Sequence, residues 1–266
     1  MRMGLWLAVA YLGMIALVGV CTPLIAPYDP LHQDLAHSFA APGWAHPFGT
    51  DNLGRDVLSR LMWGARPALL GLAIALACTA LVGIPWGLAA GYLGGTADLV
   101  LMRVADAVLV FPGIILALVL AAVLGPSLAA SMVALGLVYS PVLARVMRSG
   151  VLNVRHRDFV TLTALYGLSA RHRMWRHVLP NALAPAIVQM TLIAGTTLLA
   201  QTGLSFLGVG LQPPQPSWGS SLAESFRFIL VNATATVAPG LTVMLTALSL
   251  YRVGDELRDR LSAPHR

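Results

Sequence analysis

Three places in this chain gather side chains that could do chemistry, and each suggests a different kind. In GTDNLGRD, Gly49, Thr50, Asp51, Gly54, Arg55 and Asp56 come together, and its aspartates could hold a cation or exchange a proton. Two aspartates five apart, split by an arginine, are better suited to fixing a loop through hydrogen bonds. Arg103 and Asp106 lie three apart in a greasy stretch, so a helix puts them on one face, where they can pair. A charge inside a membrane is a functional candidate by default. These two fall one to two turns from an end, where arginine snorkels at small cost, and the expectation is a structural pair. RHRMWRHVLPNALAP, from Arg171 to Pro185, opens with three arginines, two histidines and a tryptophan in seven residues. Such a surface suits an acidic partner or phospholipid.

The background against which these residues stand is apolar. Of 266 residues, 57% are hydrophobic and 11% charged, where a soluble domain carries about 25% charged residues. All 17 basic residues are arginine, which removes the P-loop lysine, lysine Schiff bases and lysine general bases together. A pI near 10.0 invites a nucleic-acid reading. The arginines, however, are scattered between apolar spans, as the charge bias of membrane proteins requires, and no nucleic-acid partner is expected.

Six stretches are long enough to cross hydrocarbon: Leu5–Ile25, Ala68–Tyr92, Leu99–Leu124, Leu128–Val146, Ala182–Gly210 and Ile229–Tyr251. The expected fold is therefore an all-α integral membrane protein of about six transmembrane helices, multi-pass in the plasma membrane. Its parts are an N-terminal helix with an extracytoplasmic loop (1–66), a transmembrane domain (67–256) and a tail (257–266). The first span is read as a retained helix, since PLIAPYDP is a poor cleavage site. With the N-terminus inside, thirteen arginines face the cytoplasm and four (Arg55, Arg60, Arg66 and Arg227) face out, so both termini are placed in the cytoplasm. Glu224 and Arg227 are expected to be solvated outside.

Residues 153–181 then join the fourth and fifth spans on the cytoplasmic side. DFVTLTALYG begins with Asp158, carries Phe159, Leu162, Leu165 and Tyr166 at helical spacing, and stops at Gly167. Ser169 can cap a second short helix, Ala170 to Val178, and Pro180 and Pro185 suit the entry to the fifth span. Two readings fit such a bent amphipathic pair: an interfacial element held by phospholipid, or a docking knob for a soluble partner.

Chemistry inside the spans is thin. No span holds a histidine, which leaves a serine nucleophile without its base, and Asp106 is the sole carboxylate there, which excludes an aspartate pair. His32, His37, His46, His156, His172, His177 and His265 are read as loop or tail residues, without the spacing of a zinc site. Cys21 and Cys78 are read as small packed hydrophobes. A secondary transporter would show broken helices in matched halves and midplane carboxylates, and the pattern suggests neither.

A glycine followed thirteen residues later by the proline of Leu179-Pro180 has the spacing of the EAA loop of bacterial ABC importer permeases. HPFGTDNLGRDVLSRLMWGARPAL (His46–Leu69), GLSFLGVGLQPPQPSWGSSL (Gly203–Leu222) and GDELRDRLS (Gly254–Ser262) fall in order along most of the chain. Together they resemble the dipeptide, oligopeptide and nickel branch of that family, and the second of its two permease subunits. The resemblance implies a type I importer permease, non-catalytic and without a cofactor of its own. Its implied partners are a homologous permease, two cytoplasmic ATPases that use ATP and Mg, and an extracytoplasmic solute-binding protein. It implies that the 153–181 loop docks on an ATPase, through Asp158, Phe159, Thr161, Leu162, Thr163, Tyr166, Gly167, Ser169, Arg171, Arg173, Arg176, Leu179, Pro180 and Asn181. Gly49, Thr50, Asp51, Gly54, Arg55 and Asp56 would face the binding protein, with Trp218 nearby as an interfacial anchor. Where the family carries Glu-Ala-Ala, this chain has Thr161-Leu162-Thr163, so an ion pair from that glutamate is not available. Peptides are the favoured cargo; nickel chelates, haem, glutathione or sugars are compatible with the same architecture.

Overall fold

The computed structural model describes residues 2–125, 127–212 and 214–262. Its helices are α1 (Arg2–Ile25), α2 (Val57–Leu93), α3 (Gly95–Val110), α4 (Gly113–Leu124), α5 (Leu128–Arg155), α6 (Asp158–Leu165), α7 (Ala170–Arg173), α8 (Leu179–Phe206), α9 (Trp218–Phe226) and α10 (Ala233–Ser262). Among the described residues, five helical stretches are long and apolar enough to span a bilayer, with α7 and α8 counted as one helix, Ala170–Phe206. The pair α3 and α4 supplies a sixth span only if a bend of 95° is allowed.

That bend corrects the expectation of a straight third span, and its cause is local. Proline disfavours the helical region for the residue before it. Phe111 accordingly sits at φ −78°, ψ 138°, extended, and Pro112 at φ −57°, ψ 119°. One broken helix is thus present, contrary to the reading above. Its break carries Phe111 and Pro112 and no carboxylate.

Two further boundaries move. α2 starts at Val57, eleven residues before the expected span, because Asp56 caps it by accepting the Ser59 amide at 2.7 Å. Arg60 and Arg66, which interrupt the hydropathy, lie inside the helix, and so does the division placed at 66. The second cytoplasmic helix is not separate but the foot of the fifth span. Met174–Val178 widens into a π turn, and the chain runs on through Pro180 and Pro185 without stopping. An i→i+5 turn is a recognised way to take a misfit within a helix.

The tightest packing joins α2 to α5. Gly83, Gly87 and Gly91 recur every four residues on α2, and a Cβ at Gly87 would lie 2.2 Å from the Ala144 carbonyl oxygen. Small residues at this spacing let membrane helices approach backbone to backbone. Cys78 packs in the same interface against Gly136, as a small hydrophobe should. Around this pair α8 and α10 close the bundle, with α1 laid against α2 and α10.

Candidate functional site

At the cytoplasmic end, α6 and α7 form a hairpin that is buried on one side and bare on the other. Val160 is buried with Val154 of α5, Val178 of the π turn and Ala182 of α8, in a cluster that continues up to Leu88. Helix α6 ends in a reverse turn: Gly167 sits at φ +77°, and the Leu168 amide donates back to the Thr163 carbonyl at 3.2 Å. Only a residue tolerant of the left-handed region closes a helix this way. Ser169 then caps the next helix, its oxygen accepting the His172 amide at 3.3 Å. Within the hairpin, the Thr161 and Thr163 hydroxyls donate to Arg157 and Val160 carbonyls, and Asn181 Nδ2 donates to the His177 carbonyl at 2.7 Å.

The outward side carries Phe159, Leu162 and Tyr166, the last 84% exposed. Asp158 lies exposed in the first turn of α6, Leu179 is half-buried and Pro180 exposed. Beside them Ser169, Arg171, His172, Trp175 and Arg176 line an open hollow of about 670 Å³. Arg173 turns inward, and its Nε is buried without an acceptor among the described residues. His172 and His177, expected in loops, are helical, and their rings meet tilted by 51° with centroids 5.8 Å apart. Below this surface Arg155 donates to the Gly91 carbonyl at 2.7 Å, which pins α5 to the end of α2.

The opposite end is built the other way round. Asp51, Arg55 and Asp56 are 6%, 4% and 2% exposed. Asp51 accepts from the amides of Leu53 (2.9 Å) and Arg55 (3.0 Å) and pairs with Arg55 Nε at 2.7 Å. Arg55 also donates to Glu224 of α9, and Arg60 Nη2 reaches the same carboxylate at 3.2 Å. Arg60 Nη1 donates to the Pro30 carbonyl at 3.3 Å. Two arginines and two carboxylates thus cancel in a buried cluster that ties loop, α2 and α9 together. Asp56 caps α2 with one oxygen and meets His46 Nδ1 at 2.9 Å with the other. Thr50 accepts the Ala40 amide, and its carbonyl receives Asn232 Nδ2 at 2.8 Å. Gly49 and Gly54 hold φ of +73° and +71°, and a Cβ on Gly54 would fall 1.8 Å from the Asp34 carbonyl oxygen. At the loop's rim the hydrogen bond from His37 holds the Asp34 carboxyl below the usual carboxylate range.

Several sequence expectations change here. The loop-fixing reading of Asp51, Arg55 and Asp56 is the one the hydrogen bonds support, and burial keeps these three from touching a partner in this conformation. Trp218 is not an interfacial anchor: it is 2% exposed and donates Nε1–H to the Leu61 carbonyl at 2.9 Å. Glu224 is not solvated but half-buried against two arginines, and Arg227 alone is exposed. Asp106 pairs with Arg145 of α5 rather than with Arg103. Glu224, Arg60 and Asn232 were missed as contributors because their partners lie far along the chain, 164 residues in the case of Arg60 and Glu224, while His46 meets Asp56 across a loop turn that no helical spacing marks.

One end is a buried polar cap and the other an exposed hairpin, on a bundle of long apolar helices. The chain belongs to the binding-protein-dependent transport system inner membrane component family, whose sequence model matches residues 83–262. It is a multi-pass inner membrane protein. It is 39% identical to the dipeptide transport system permease protein DppC of Escherichia coli, over 97% of this chain and 88% of that one. Identity to DppC of Haemophilus influenzae is 34%, over 97% of this chain and 90% of that one. Among solved structures, the MetNI methionine ABC transporter in an inward-facing conformation superposes with a TM-score of 0.63 at 17% identity, covering 77% of this chain and 97% of that one. An amino acid ABC transporter with histidines gives 0.59 at 14% identity. Both share the fold. The family model begins at Gly83, so the polar cap lies largely outside it, while the dipeptide permeases match across it.

Proposed function

We propose that this chain is one of two homologous permease subunits of a peptide ABC importer and forms half of its translocation pathway. The Escherichia coli and Haemophilus influenzae relatives, matched nearly end to end, favour dipeptides or short oligopeptides as cargo. Two cytoplasmic ATPases bind ATP and Mg beneath it, and a solute-binding protein delivers the peptide from outside. This chain itself does no catalysis. The arginine bias orients the hairpin to the cytoplasm, and the cap sharpens that bias. Arg55 and Arg60, two of the four outward arginines, are neutralised by Asp51 and Glu224.

The observation that carries the reading is the hairpin at 158–181. It offers Phe159, Leu162 and Tyr166 as apolar anchors and Arg171 and Arg176 as a basic rim, on a backbone fixed by Val160, Gly167, Ser169 and Asn181. Anchors ringed by charge are how a docking contact divides its work. A coupling element must pass a change of state from one packed interface to another, and the burial of Val160 against α5 and α8 anchors the hairpin for that. Without the family's glutamate, docking rests on Phe159, Leu162, Tyr166 and the arginines. Arg173 contributes its charge near the surface, and Asp158, Thr161 and Thr163 shape α6.

The reading is tested by Leu162→Arg in the complete complex reconstituted in vesicles. ATP hydrolysis should continue while peptide uptake falls by about tenfold or more, the scale of one lost apolar anchor. Uptake at the wild-type level would remove α6 from the coupling path.

A further inference from the structure

A cavity of about 680 Å³ opens at the extracytoplasmic end, between the end of α1, the outer part of α2 and the segment after α8. It belongs neither to the hairpin nor to the ion-paired cluster, although the two share a wall. Pro30, buried, closes one side, and the cap fixes it through the bond from Arg60 to its carbonyl. Pro27, Pro67 and Pro216 form much of the rest. Proline brings a stiff apolar surface and no backbone donor. Hydrogen-bonding groups in the cavity are therefore few.

Two charged groups, Arg66 and Asp29, stand on its walls. Arg66 is exposed to the cavity and makes no ion pair among the described residues. Asp29 accepts the Leu31 amide at 2.8 Å through one oxygen, and its other oxygen is free to accept. An apolar cavity of this size with a few placed polar groups is the usual form of a small-molecule site. Arg66 alone would select an anion; Arg66 with Asp29 selects a ligand that carries both charges.

We propose that this cavity receives a short peptide with free termini. The peptide's carboxylate lies on Arg66, its ammonium on Asp29, and one apolar side chain against the proline walls. The inference rests on the peptide-importer reading and adds a binding site on the permease itself.

The test uses the full complex in lipid nanodiscs without its binding protein, and tritiated alanyl-phenylalanine as probe. Its N-acetyl and C-amide derivatives each lack one terminal charge. Arg66→Gln should weaken binding of the free dipeptide about tenfold and leave binding of the amide unchanged, the scale of one charged hydrogen bond. Asp29→Asn should do the same for the free dipeptide and spare the N-acetyl form. Both charged residues are exposed, so their loss should leave the thermal midpoint of the complex unchanged.

The proposal fails if the wild-type complex binds none of the probes, or if both variants bind like wild type. It also fails if the variants weaken only the grip on the binding protein, which would make the cavity a protein-docking surface. Failure of the underlying reading looks different: the wild-type complex with its binding protein would show no response of ATP hydrolysis to any dipeptide.

Discussion

The two ends of this molecule draw on the same residue types and turn them in opposite directions. In the extracytoplasmic cap, arginines, aspartates and a tryptophan point inward and satisfy one another; at the cytoplasmic hairpin, arginines, histidines and a tryptophan point outward and wait for a partner. Glycines at positive φ serve both, Gly54 to let two backbones touch and Gly167 to reverse a helix. Motif strength in the sequence therefore says little about exposure. GTDNLGRD is as conspicuous as RHRMWRH, yet the first is architecture and the second is surface.

The contrast predicts that equal chemical changes will have unequal effects. The largest should come from the cap. Glu224→Ala leaves Arg55 and Arg60 buried with Asp51 as their one carboxylate, and removing one partner of a buried ion pair costs about 3–5 kcal/mol. Thermal unfolding of the purified complex should show that loss, and a midpoint within a degree of wild type would break the comparison. Trp218→Phe, which keeps most of the ring volume but loses the hydrogen bond to the Leu61 carbonyl, should cost about 1–2 kcal/mol by the same measurement. In the hairpin, Val160→Ala should cost about 1–2 kcal/mol as a cavity and loosen α6, seen as faster amide exchange across 158–165. The smallest stability effect belongs to Arg171→Gln with Arg176→Gln, within about 0.5 kcal/mol, because both are surface charges. Those two should still weaken association with the ATPase, and wild-type association should fall as salt rises while the cap resists it. A cap that proved more salt-sensitive than the hairpin would reverse the assignment.

The spans and the hairpin were largely legible in the sequence because their signals are local. Apolar runs gave five helices to within about a turn or two at most ends, and Gly167 and Ser169 fell where a reversal and a cap belong. The break at Phe111–Pro112 had a signal too, since the pre-proline rule names that residue, but a continuous apolar composition masked it. The cap was legible only in part. Asp51 and Arg55 are neighbours and could be paired on spacing, whereas Glu224 enters from 169 residues away and looks, by itself, like a solvated helix residue. Asp106 misled for the same reason: its nearest basic residue in sequence is Arg103, and its partner in space is Arg145, 39 residues on. Short-range spacing finds helix faces; it does not find which face meets which.

The unbroken helix Ala170–Phe206 has a mechanical consequence. At about 1.5 Å per residue its 37 residues make a rod about 55 Å long, with its foot in the hairpin. Its head is wedged in the cap. A Cβ on Gly219 of α9 would meet the Thr202 carbonyl oxygen at 2.4 Å, and Gln201 Nε2 donates to the Pro67 carbonyl at 3.0 Å. A tilt of about 5° at the foot would carry the head by about 5 Å, more than those contacts can absorb while α9 and α2 stay still. A tilt at the foot therefore cannot leave the outer mouth in place unless the helix bends at its π turn or at Pro185.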